Sequence, residues 1–264
     1  MNNITDAEFS RFQRFIYDAA GISLSPAKKA LVCGRLSKRL QVHRLASYGD
    51  YFELLSSGRS PAEMQTAVDL LTTNETYFFR EPKHFDLLRQ LATAGQAQPF
   101  RVWSAASSTG EECYSIAMVL ADCLGSARWE VVGSDISSRV LQRARLGHYP
   151  LDRTRHIPPE YLRRFCLRGF GPYQGTLLVE PELRSRVTFA QVNLNAELPR
   201  LGSFDVIFLR NVMIYFNGDT KRQVVARVLS LLKPGGHFCI GHSESLNDIS
   251  SAVVQVAPAI YRKP

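Results

Sequence analysis

Up to about residue 72 the apolar positions recur at helical spacing. Thr5 and Glu8 form a capping-box pattern, and Phe9, Phe12, Phe15 and Ile16 follow on one face, which predicts an amphipathic helix. Ser25-Pro26 opens a second helix, since proline is tolerated in a first turn, and Leu31, Val32, Leu36 and Leu40 make its apolar stripe. Further helices are predicted over 47–56 and 60–71, the latter again opening Ser-Pro. Residues 1–72 are therefore expected to form a small all-α domain.

From about residue 98 the pattern changes to short apolar runs alternating with helical segments. PFRVWSAAS, WEVVGSDIS, FDVIFLRN and GGHFCIGH read as buried strands, and 111–124, 137–146 and 220–232 as helices. Such alternation predicts an α/β domain over 73–264, a parallel sheet with helices on both faces. The rhythm breaks over about 152–188, where the Gly/Pro-rich RGFGPYQG lies among the β-prone runs TLLVE and RVTFA. A small antiparallel β insertion with a tight turn is expected there. No internal repeat or low-complexity segment is present.

Composition narrows the class. A chain of 264 residues with 45% hydrophobic content can bury a core for one or two domains. No apolar run approaches the roughly 20 residues needed to span a bilayer, and MNNITDAEF lacks the basic-then-apolar order of a signal peptide. A soluble, cytoplasmic protein without membrane insertion is expected. The five cysteines form no CxxC pair and stand at no zinc-ligand spacing from a histidine, so reduced thiols and no metal are expected. The net charge of +8 favours an acidic partner: nucleic acid, anionic lipid or a carboxylate-rich protein surface.

The candidate chemistry lies at the strand-to-helix junctions. SAASSTGEECYS follows the first strand with small residues that let a ligand approach the backbone. It is not GxGxxG, and Glu111 and Glu112 open the next helix. Carboxylates there suit the helix dipole but repel a pyrophosphate, so the pattern fits a cofactor with an amino group and no phosphate, such as S-adenosylmethionine. Asp135, at the tip of the second strand, is placed to accept hydrogen bonds from ribose hydroxyls. FDVIF and LKPGG recur in many class I methyltransferases.

Read in order, TTNETYFFRE, WSAASSTGEECYSIAM, SDIS, RNVMIYF and LKPGGHFCIGHSE closely resemble the chemotaxis receptor glutamate methyltransferases, the CheR family, over nearly the whole chain. The resemblance implies a class I methyltransferase fold with an antiparallel β-subdomain, preceded by an all-α domain. It implies S-adenosylmethionine as cofactor, S-adenosylhomocysteine as product, and methyl-accepting chemotaxis receptors in cytoplasmic arrays as partners.

Carried over by residue, Asn74, Thr76 and Arg80 line the cofactor's methionine side, Glu111 its amino group and Asp135 its ribose. Asn193 and Leu194 line the adenine, Arg210 and Asn211 end a strand at the cofactor, and Tyr215 lies near the transferred methyl, with Arg80 the second candidate for orienting the reaction. Cys113 and Ser107 depart from the family's usual proline and cysteine without touching a proposed polar contact. In some family members the β-subdomain binds a pentapeptide at the receptor's C-terminus. The helix from Ser25 carries six Lys/Arg and no acid between Lys28 and Arg44, and Arg35, Lys38 and Arg39 share a face with Lys28 two turns earlier. That face is a candidate dock for an acidic receptor helix. A methyltransferase acting on RNA or a small molecule, or an inactive cofactor-binding scaffold, are the rival readings, and His242-Ser243-Glu244 is taken as local packing.

Overall fold

The computed structural model describes residues 3–94 and 99–264; Met1, Asn2 and the expected start of the α/β pattern at Gln98 lie outside them. The chain divides into two units, one running to Thr73 and adding Tyr215–Lys221, the other made of Asn74–Ile214 and Arg222–Pro264.

The first unit holds helices α1 (Asp6–Ala20), α2 (Lys29–His43), α3 (Tyr48–Ser56) and α4 (Pro61–Leu71). The Thr5–Glu8 capping box forms as the sequence demands, with Glu8 N donating to Thr5 Oγ1 at 3.2 Å and Thr5 N to Glu8 Oε2 at 2.8 Å. Ser47 and Asp50 repeat the device at α3. Phe12, Ile16, Val32, Leu36 and Tyr51 are fully buried between the helices. Pro26–Lys28 is a 3₁₀ turn rather than the first turn of α2, because the proline-led segment closes shorter hydrogen bonds before the α pattern starts.

The second unit continues with α5 (Lys83–Thr93), β1 (Phe100–Ser104), α6 (Glu111–Leu124), β2 (Trp129–Asp135) and α7 (Ser138–Leu146). Then come β3 (His148–Pro150), α8 (Pro159–Phe165), β4 (Cys166–Arg168), β5 (Thr176–Val179) and α9 (Pro181–Ser185). The chain closes through β6 (Val187–Gln191), β7 (Phe204–Leu209), α10 (Gly218–Ser230), β8 (Leu232–Ile240), β9 (Val254–Ala257) and β10 (Ile260–Arg262).

Among the described residues, seven strands form the main sheet in the order β6-β2-β1-β7-β8-β10-β9, parallel from β6 to β8, with β10 antiparallel to β8 and β9 to β10. The winding runs outward from β1 to β2 and β6, and in the other direction from β7 to β8. The crevice at the carboxyl ends of β1 and β7 is thus the switch point where such sheets bind ligands. Val102, Trp103, Val206, Ile207 and Phe208 are all fully buried, as strands covered on both faces must be.

The β insertion is a separate three-stranded antiparallel sheet, β3-β5-β4. It starts at His148, before the expected 152, and RVTFA does not belong to it. Val187–Gln191 instead pairs parallel with β2 from Val131↔Val187 to Asp135↔Gln191. A β-prone run of five residues carries no signal of which sheet it joins; pairing decides that. Among the described residues no helix is long and apolar enough to cross a membrane.

Candidate functional site

The loop after β1 is shaped by packing. Gly110 has φ +94°, and a Cβ on it would come within 2.9 Å of the Ala144 Cβ and 3.0 Å of the Tyr149 hydroxyl, so only glycine fits. Ser108, at φ +48°, is a non-glycine residue in the left-handed region. Its N–H donates to Asp135 Oδ2 at 2.9 Å, while Ser137 N donates to Asp135 Oδ1, also at 2.9 Å. The buried carboxylate at the tip of β2 is therefore fixed by the backbone of both loops.

Glu111, the first residue of α6, is fully buried. Thr109 Oγ1 donates to its Oε2 at 2.6 Å, while Oε1 accepts no hydrogen bond. Arg153 Nη2 stands 2.9 Å from that Oε1 as a charge contact only. Burial raises the Glu111 carboxyl above its ordinary value, partly offset by Thr109 and Arg153. A buried acceptor with an open oxygen at a helix N-terminus fits an ammonium group and rejects a phosphate. Tyr149, on β3, donates to Thr109 O at 2.7 Å and ties the insertion to this loop.

Residues 74–82 form a strap held by its aromatics. Phe78 is fully buried edge-on to Tyr149 at 5.0 Å, and Phe79 packs on Phe85 at 5.0 Å. The Phe79 N–H donates to Ser115 Oγ at 3.0 Å. Ser108 Oγ donates to Asn74 O at 3.0 Å, and Arg153 Nη2 to Thr76 O at 2.9 Å. Phe79 and Glu81 both adopt positive φ, 54° and 59°, on either side of Arg80. Such conformations cost about 1–3 kcal/mol each and persist where the surroundings over-determine them. The Arg80 guanidinium donates to Glu75 O at 3.2 Å and lies over the Tyr77 ring at 5.6 Å.

Arg210, at the end of β7, is buried among acids. Its guanidinium stands 2.9 Å from Glu112 Oε2 and 3.1 Å from Glu81 Oε2, and donates to the Arg80 carbonyl. Ser104 Oγ donates to the other Glu112 oxygen at 2.7 Å. Arg210 thus braces the strap against the strand tips. His84 Nδ1 and His242 Nε2 lie 3.5 and 4.0 Å from Glu81 Oε2. Burial, with help from Arg210, pushes the His84 imidazole down to about 3.

Glu244 was not anticipated as part of the site. Its carboxylate accepts from Gly241 N at 2.7 Å, Asn211 N at 2.9 Å and Met213 N at 2.8 Å, clamping the ends of β7 and β8 together. Asn211 has φ +58° in that clamp. Tyr215 closes the 3₁₀ turn Met213–Tyr215 that follows, and its carbonyl accepts from Ser23 N at 2.8 Å. After β6, Asn193 Oδ1 accepts from Asn195 N at 2.9 Å, Leu194 is buried, and Arg227 donates to its carbonyl. Glu244 lies in the His242-Ser243-Glu244 stretch read as local packing, whereas no sequence motif announces Arg153 or Tyr149, whose partners Glu111 and Thr109 are distant along the chain.

In the helical unit the basic residues divide. Arg39 donates through Nε to buried Glu63 at 2.8 Å, and Arg35 donates to the Leu71 and Thr72 carbonyls at 2.9 and 3.0 Å. Both brace α2 against α4. Lys28 and Lys38 are exposed. Beside the β insertion a groove of about 530 Å³ is lined by exposed Leu167, Phe170 and Tyr173, by Leu146 at the end of α7, and by Arg168 and Arg184.

A parallel sheet whose switch point presents carboxylates at two strand–helix junctions fits a cofactor that carries an ammonium group and ribose hydroxyls, as an S-adenosylmethionine-dependent methyltransferase of class I requires. The particular family follows from comparison with known proteins. The family of the CheR methyltransferase, SAM binding domain, matches residues 74–260, and that of the CheR methyltransferase, all-alpha domain, matches residues 7–72. The chain belongs to the CheR methyltransferase family and is an S-adenosylmethionine-dependent enzyme. It is 43% identical over 261 residues to the chemotaxis protein methyltransferase of Escherichia coli K12, covering 98% of this chain and 91% of that one. It is 45% identical over 262 residues to chemotaxis protein methyltransferase 2 of Pseudomonas aeruginosa, covering 97% and 93%.

Proposed function

We propose that this chain transfers a methyl group to glutamate side chains on the cytoplasmic helices of chemotaxis receptors, tuning receptor adaptation. The observation that carries the reading is the union, in one chain, of the family's helical domain and its cofactor-binding sheet, at high identity to proteins named for chemotaxis. A cytoplasmic location beside receptor arrays belongs with it.

When bound, the cofactor supplies a sulfonium-activated methyl group. Glu111 receives its ammonium, Asp135 its ribose hydroxyls, and Asn193 and Leu194 flank the adenine. Asn74, Thr76 and Arg80 border the methionine end, and Arg210 and Asn211 hold the floor of the site in place. The accepting glutamate has an ordinary pKa near 4.3 and is already ionised at neutral pH, so the protein needs no general base. Its task is approach and alignment, which alone supplies large rate factors. Arg80 is suited to orient the incoming carboxylate.

Receptor docking falls to the exposed Lys28, on the turn before α2, and Lys38, on α2, while Arg35 and Arg39 stiffen that helix. The groove between Phe170, Tyr173 and Arg168 offers an apolar, cationic seat for a receptor's C-terminal pentapeptide, with β4 as a free sheet edge for strand addition.

Calorimetric titration with S-adenosylhomocysteine tests the site. Micromolar binding by the native chain, lost in an Asp135→Ala variant that remains folded, is the expected outcome. Equal binding by the variant would remove Asp135 from the pocket, and no binding by folded native protein would move weight to an inactive scaffold.

A further inference from the structure

We propose that Arg153 reads the carboxylate of the cofactor's amino-acid end, so that Glu111 and Arg153 together form a receptor for an α-amino-acid zwitterion. The inference rests on the cofactor reading above. It begins with charge. A zwitterion whose ammonium meets Glu111 brings its carboxylate a few ångströms away, and in a site of low polarity that carboxylate needs a cation.

Arg210 is already engaged by Glu81, Glu112 and the Arg80 carbonyl. Arg80 donates to Glu75 O and lies over the Tyr77 ring. Arg153 is placed differently. It stands 2.9 Å from Glu111 Oε1, yet no hydrogen bond is aligned between them. Nη2 is anchored on Thr76 O at 2.9 Å, on the strap. A guanidinium carries five N–H donors in a planar fork that matches a carboxylate, so one anchor leaves donors to spare. With its side chain 37% exposed, Arg153 has room to turn while Glu111 stays fixed and fully buried.

The turn that carries Arg153, Leu151–Thr154, follows β3 directly, and β3 is pinned to the Glu111 loop by the Tyr149–Thr109 hydrogen bond of 2.7 Å. Arg153 therefore keeps a set distance from Glu111. Arg153 is the counter-ion of that buried carboxylate. When an ammonium arrives the partners exchange, ammonium to Glu111 and carboxylate to Arg153, with no buried charge left alone. This leaves Arg80 to the methyl-accepting glutamate.

The test compares two ligands by calorimetry on the full chain: S-adenosylhomocysteine, and 5′-methylthioadenosine, which keeps the adenosine and thioether but has no amino-acid end. Arg153→Ala is expected to weaken S-adenosylhomocysteine binding roughly 10- to 100-fold, the scale of a charged hydrogen bond, and to leave methylthioadenosine unchanged. Arg153→Lys should recover part of the loss. Unchanged affinity for S-adenosylhomocysteine would overturn the proposal, and tightened affinity would make Arg153 a mere competitor. Equal loss of both ligands, in Arg153→Ala and in Arg153→Gln, would assign it a structural role only. Native protein that binds neither ligand would instead overturn the cofactor reading beneath it.

Discussion

Glu63 and Glu111 are both buried carboxylates, and they titrate in opposite directions because their neighbours differ. Burial alone would raise Glu63, but bonds from Arg39, Tyr51 and His43 outweigh it and pull the group down to about 2. A depressed carboxyl stabilises the fold above its unfolded pKa, near 4.3, and that stabilisation is lost as pH falls toward 2. Glu63→Gln should therefore cost about 3 kcal/mol at neutral pH, with the gap to the native chain closing below pH ~4; denaturant titrations across pH check this. At Glu111 burial wins, so its ionised form is a cost to the fold that grows as pH rises through the raised pKa. Glu111→Gln should leave the melting temperature equal or higher while S-adenosylhomocysteine affinity falls at least tenfold, the trade expected where function sets a residue. The carboxylates at the two strand–helix junctions, Glu111 opening α6 and Asp135 ending β2, are legible in the sequence because α/β topology fixes where such residues stand. Arg153 is not, since its partner belongs to another element and only folding brings them together.

The helices and central strands were also legible, because an amphipathic period and a doubly buried apolar run are local properties. What local pattern could not supply was partnership. RVTFA has the strand signal but not its neighbour, and it closes the edge of the main sheet beside β2. The β9–β10 hairpin and α5 fell outside the alternation that drew attention to the other elements. Glu244 belongs here, since it works between elements rather than within one. Glu244→Ala strips the acceptor from at least Gly241, Asn211 and Met213 N–H groups. It should cost about 2–3 kcal/mol of stability and release Asn211 from its positive φ. Turnover should then fall more than cofactor affinity, measured by initial rates beside S-adenosylhomocysteine titration. An unchanged turnover with the same stability loss would confine Glu244 to architecture.

For the molecule as a whole, charge and division into units set the expected behaviour. A net charge of +8 favours acidic partners, and the exposed Lys28 and Lys38 lie on α2 and the turn that leads into it, the segment proposed to meet one. Reversing both to Glu should raise the KM for a receptor fragment several-fold, most at low ionic strength, without altering cofactor affinity. The accepting atom in the proposed reaction is a glutamate carboxylate on a receptor. The most direct measurement of this is transfer of labelled methyl from S-adenosylmethionine to a receptor cytoplasmic fragment, followed by mild alkali, which hydrolyses carboxyl methyl esters to volatile methanol. Label released as methanol, and absent when the fragment's accepting glutamates are replaced or the enzyme carries Asp135→Ala, is the expected result. Label that resists alkali, or that passes to total tRNA and not to the fragment, would contradict it.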